Sequence, residues 1–193
     1  MQKAKGNKQV AIIAGWAEGP WQTKRFRNEL KKAGLQLIND PRKADVIIGH
    51  SLGCYLIPKG IEGKTIVLIG LPYWPGRSIP ASIRMKLKAE VGSHRKDESL
   101  GWWLNKLFHN GWYILTRPSK TYSAFSRQKP ENLPDGKTNR VTLFRPSGDT
   151  FCHPDVMKML PKAKNYKFIE ISGAHDDCWL KPESYVDLLL KEI

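Results

Sequence analysis

An apolar β-branched run, Val46-Ile47-Ile48, passes directly into Gly49-His50-Ser51-Leu52-Gly53, which fits G-x-S-x-G, and a short helix-compatible stretch follows. Strand, tight turn and helix form the context in which this motif holds a nucleophile. The turn must lift the Ser51 hydroxyl clear of the sheet, and small flanking residues let two backbones pass closely. Backbone N–H groups at the start of the following helix, expected from Leu52 onward, point at the position where an oxyanion forms. Pro58 predicts the end of that helix near Ile57.

Other elements follow from the same kind of pattern. Short buried-strand signals recur at residues 10–14, 35–38, 65–69, 141–144 and 166–171. A helix is expected between the first two, with Thr23 as N-cap, Phe26, Leu30 and Ala33 inward, and Gly34 just past its end. Pro182 opens a last helix with Tyr185, Val186, Leu189 and Ile193 inward. Strands alternating with helices predict a mostly parallel sheet covered on both faces, a three-layer α/β/α sandwich. The whole chain, residues 1–193, is read as one domain.

Residues 73–138 break the alternation. They hold Trp74, Trp102, Trp103 and Trp112 and, by count, 12 basic and 5 acidic residues, an excess of 7 in the total of +14. Helices are expected over 79–91 and 100–108, and a turn at Pro134-Asp135-Gly136. The stretch reads either as a cap over a site or as helices whose tryptophans pack on the sheet.

These features resemble the α/β-hydrolase superfamily, in particular its small single-domain, esterase-like serine hydrolases. The likeness covers residues 10–72 and 140–193 and implies a trimmed version of that fold, with a helical insertion after the strand that follows the elbow. It also implies the chain order serine, acid, histidine, each at a strand end. Ser51 is the expected nucleophile. Asp149, in Arg145-Pro146-Ser147-Gly148-Asp149, is the expected acid, with Asp155 as the alternative. His175, in Ser172-Gly173-Ala174-His175, is the expected base, with His153 as its rival. The oxyanion donors fall on the backbone of Leu52 and of Trp16, although Ala14-Gly15-Trp16 departs from the His-Gly common in the family.

Carboxylic ester or thioester hydrolysis is the activity this implies, on a small acyl substrate. The alternative is a basic, catalytically weak protein of the same fold that binds nucleic acid or an anionic surface through residues 73–138. The basic residues are spread without a long block, which favours a solubilising surface over such a partner. Cys152, His153, His175, Asp176, Asp177 and Cys178 lack established metal-ligand spacing, so no metal is expected. No phosphate-loop or dinucleotide motif occurs, so no cofactor is expected either. Three cysteines without paired spacing suggest free thiols, and the apolar run after the basic N-terminus is too short for a signal or a span. Together these predict a cytoplasmic protein.

Overall fold

A computed structural model of the chain describes residues 8–73, 78–92, 99–160 and 165–193. Trp74 and the basic N-terminal residues 1–7 lie outside the described residues. Six strands form one sheet: β1 (Gln9–Ile13), β2 (Gln36–Ile38), β3 (Val46–His50), β4 (Thr65–Ile69), β5 (Arg140–Pro146) and β6 (Tyr166–Ile171). Their order is β2-β1-β3-β4-β5-β6, and every pairing is parallel. All strands therefore deliver their C-terminal ends to the same edge, where ligand sites of open α/β sheets form.

The two-residue period of the strands divides the core. Val10, Val46, Ile48, Val67, Ile69 and Phe144 point to one face, under α1 (Pro20–Lys32), α6 (Asp177–Leu180) and α7 (Pro182–Glu192). Ala11, Ile47, Ile66, Leu68, Val141 and Leu143 point to the other. There they meet the 3₁₀ helix Ser51–Leu56, α4 (Pro118–Ser126) and α5 (Val156–Met159), which carries Val156 into that core. Near-continuous apolar strands are what a sheet buried on both faces requires.

Helix α1 starts three residues before the expected cap. Gly19 is its N-cap and Pro20 its first residue. Gln22 accepts the Gly19 N–H at 2.8 Å, and Thr23 lies inside the first turn. Proline is pre-set for that position because its missing N–H has no partner there in any case. The C-terminus matches expectation, with Gly34 N–H on Lys31 O and Leu35 N–H on Leu30 O.

Between β4 and β5 the chain inserts α2 (Ile79–Gly92), α3 (Leu100–Thr116) and α4. The α3 helix runs eight residues beyond the expected end at 108, and α4 carried no clear signal of its own. Pro118 stops one helix and, at the first turn of the next, starts the other. Helix α4 touches α2, α3 and the 3₁₀ helix, so it joins the insertion to the sheet.

Candidate active site

Ser51 sits at the sharp turn leaving β3, with φ of +51°. Among the described residues it and Ala17 (φ +60°) are the two non-glycine positions with left-handed backbone. Such conformations cost energy and persist where the surrounding structure imposes them. The segment after Ser51 is a 3₁₀ helix of six residues ending at Leu56, so the expected helix exists in a tighter form. Gly53 shows why the motif needs its second glycine: a Cβ there would lie 2.2 Å from the Ile13 carbonyl oxygen. The elbow packs against the end of β1 with no room for a side chain.

The loops after β5 and β6 are joined beyond the strands. Ser147 N–H donates to Ile171 O and Gly148 N–H to Gly173 O, each at 2.8 Å. This pairing brings Asp149 beside His175. Asp149 Oδ2 lies 2.7 Å from His175 Nδ1, and His175 Nε2 lies 2.9 Å from Ser51 Oγ. The other carboxylate oxygen, Oδ1, accepts the N–H of Phe151 and of Cys152 at 2.7 and 3.2 Å. The His175 ring is wedged between the Phe151 ring, 4.7 Å away, and the His50 ring, 4.9 Å away. All three expected residues are buried at 5 % exposure. The rivals sit elsewhere. Asp155 is half exposed and pairs with Lys158 at 3.0 Å, and His153 faces Asp155 on the surface.

A second buried acid–base pair stands beside the first, and sequence spacing carried no sign of it. His50, at a free position of the motif, is fully buried with both ring nitrogens engaged. Nδ1 lies 2.6 Å from Glu18 Oε1, and Nε2 lies 3.0 Å from the His175 carbonyl oxygen. A carbonyl only accepts, so Nε2 carries a proton and donates it. Burial disfavours the imidazolium, yet the Cys178 sulfur and the Glu18 carboxylate outweigh it and hold His50 well above the usual histidine range. Burial pushes the Cys178 thiol up to about 11.

Glu18 Oε2 in turn accepts the Gly15 N–H. One histidine and one glutamate therefore tie together the loops after β1, β3 and β6. The β1 loop is a turn closed by Glu18 N–H on Gly15 O, with Ala17 at its left-handed position. Its expected oxyanion residue, Trp16, is buried under the insertion. Trp16 Nε1 donates to Thr121 Oγ1 at 3.1 Å, and its ring meets those of Phe125 and Tyr113 edge-on at 5.6 and 5.9 Å. Two pockets flank this loop. One of about 480 Å³ runs from Gly15, Trp16 and Leu56 to Lys120 and Arg127, and one of about 490 Å³ from Gly15 and Glu18 to His109, Trp112 and Arg117.

His50, His175 and Asp176 bring ligand atoms within 4.8 Å of one another. Both nitrogens of each histidine are already committed, and Asp176 Oδ2 pairs with Lys106 Nζ at 2.8 Å. These internal bonds engage the same donor atoms that a cation would need. The cysteines offer no alternative: Cys54, Cys152 and Cys178 are buried and unpaired. The Cys54 thiol donates to Gly49 O, one helical turn from Ser51.

No protein-family model matches the chain, and no curated protein matches it. Solved structures do. A bromoperoxidase from Bacillus anthracis superposes with a TM-score of 0.65 at 16% identity, over 97% of this chain and 92% of that one. This chain has the α/β-hydrolase fold. A thioesterase of the prodiginine biosynthetic pathway of Streptomyces coelicolor matches with a TM-score of 0.64 at 10% identity, over 100% of this chain and 96% of that one. An esterase from a marine microorganism matches with a TM-score of 0.56 at 11% identity, over 99% and 97%. These alignments span nearly all of this chain and of each matched chain.

Proposed function

We propose that this protein is a serine hydrolase that cleaves a carboxylic ester or thioester through an acyl-enzyme. The observation that supports this most is the continuous hydrogen-bond path from Asp149 through His175 to Ser51. A serine hydroxyl is a poor nucleophile without a base, and the base needs an acid to hold its tautomer. In this reading Asp149 keeps the proton on His175 Nδ1, which leaves Nε2 to accept the Ser51 proton as Oγ attacks the acyl carbon. The N–H groups of Leu52 and Trp16 hold the oxyanion. His175 then returns the proton to the departing alcohol or thiol. Water, deprotonated by the same nitrogen, attacks the acyl-enzyme, and the acid leaves as Ser51 regains its proton.

The insertion of α2, α3 and α4 serves as a cap in this reading, and the two pockets beside Gly15 receive the acyl and leaving groups. Unpaired cysteines and the absence of any described helix able to cross a membrane fit a reducing, aqueous setting. The decisive test is labelling with a fluorophosphonate probe. Wild type is expected to label at Ser51, and Ser51→Ala and His175→Ala to remain unlabelled. A wild type that fails to label while folded sinks the hydrolase reading and moves the weight to a binding protein of the same fold.

A further inference from the structure

Helix α3 packs Tyr113 and Ile114 toward the core, yet it also bears an apolar outer side. Leu100, Leu104, Phe108, Trp112 and Leu115 recur at steps of four and three and are 50–78 % exposed. That spacing gathers them on one side of the helix. The inward side carries Lys106 and Asn110, both buried, with Lys106 on Asp176. An exposed apolar patch of this kind marks a contact surface. The Phe108 and Trp112 rings lie nearly parallel at 6.4 Å on that outer side. The outward residues include no charge. Immediately beyond them come Arg117, Lys120 and Arg127, all exposed, and residues 99–130 contain no acidic side chain.

We propose that the outward face of α3 docks this protein on an anionic lipid surface. Charge complementarity selects the occupant: an apolar strip edged by cations suits acyl chains beneath anionic headgroups. A second copy fits less well. Two chains of +14 repel each other. A strip about 25 Å by 10 Å offers roughly 250 Å² per partner, where a stable dimer needs about 800 Å². Nucleic acid fits less well again, because three of the five outward residues are leucines, which give bases no stacking platform.

Docking would set both pocket mouths at the lipid. Trp112 and Arg117 line one pocket, and Lys120 and Arg127 line the other. The substrate class would then be amphiphilic acyl esters drawn from the surface. That last step rests on the serine-hydrolase reading, whereas the docking does not.

The test is co-sedimentation of the full chain with vesicles of phosphatidylcholine alone or mixed with phosphatidylserine. Wild type and Ser51→Ala are both expected to prefer the anionic vesicles by about tenfold or more at low salt. Phe108→Ser with Trp112→Ser is expected to lose most of that binding with an unchanged circular dichroism spectrum, and Lys120→Glu with Arg127→Glu to lose the anionic preference. Because Ser51→Ala cannot turn over substrate, its binding separates failure of docking from failure of the hydrolase reading. Equal, weak partition of wild type to both vesicles overturns the proposal. So does a dimer in light scattering that the Phe108 and Trp112 changes convert to monomer, or salt-sensitive binding to an oligonucleotide but not to vesicles.

Discussion

At the scale of single residues the site contains two acid–base pairs with different work. The Asp149–His175 pair faces Ser51, and replacing Asp149 by Asn leaves the shape but offers the wrong tautomer. Turnover is expected to fall by about 10⁴-fold, with probe labelling slowed to match. The Glu18–His50 pair does not touch Ser51 Oγ; it ties together the loops after β1, β3 and β6, and in the proposed reaction it is a positioning pair. His50→Gln is expected to lower kcat more than it raises KM, and Glu18→Gln to do the same by releasing the Gly15 loop. A merely structural His50 would change stability alone. Its linkage sign is set by the raised affinity for a proton. The stabilisation that His50 gives is full below about pH 6.5 and is lost as pH climbs through its raised folded-state value. The gap in melting temperature between wild type and His50→Gln should therefore narrow from acid to alkaline pH. Ala17 tests strain directly. Its φ of +60° suits glycine, so Ala17→Gly is expected to raise the melting temperature by about 2–4 °C, the equivalent of about 1 kcal/mol.

At the scale of elements the insertion hangs on α4. Phe125 is buried against Trp16, and Phe125→Ala is expected to cost about 3–5 kcal/mol by urea unfolding while leaving the sheet intact. The strands were legible because their signal is local: a β-branched run bounded by glycine or proline reads the same whatever packs on it. Ser51, Asp149 and His175 were legible for a related reason, since each follows such a run within a few residues. Thr23 failed as a cap because Gly19 and Pro20 end the loop earlier, and Gln22 reaches back to accept the Gly19 N–H. Helix α4 failed to show because its start is set by Pro118, directly after α3, rather than by an apolar period of its own. Glu18 and His50 lie 32 residues apart in unrelated motifs. Only the close approach of the β1 loop to the elbow unites them, and no periodicity encodes that.

At the scale of the whole molecule the question is what couples the insertion to the chemistry. Lys106 reaches from the inward side of α3 to Asp176, the neighbour of His175, and both side chains are largely buried. Burial alone would raise the Asp176 carboxyl, yet Lys106, with help from His175, Lys86 and His50, holds it well below the usual carboxylate range. Its contribution is therefore complete above about pH 4 and is lost as pH falls toward that depressed value. Removing the cation strands a buried carboxylate, which typically costs about 3–5 kcal/mol. Lys106→Met should accordingly lower the melting temperature most at neutral pH, with the difference shrinking in acid. If this ion pair holds α3 over the site, the same substitution should quicken amide exchange in α3 and leave β3 and β4 protected. It should also alter the rate of probe labelling at Ser51. Unchanged exchange in α3 with a full loss of stability would place the ion pair in the service of the histidine loop alone, and the insertion would then owe its seat to Trp16, Thr121 and Phe125.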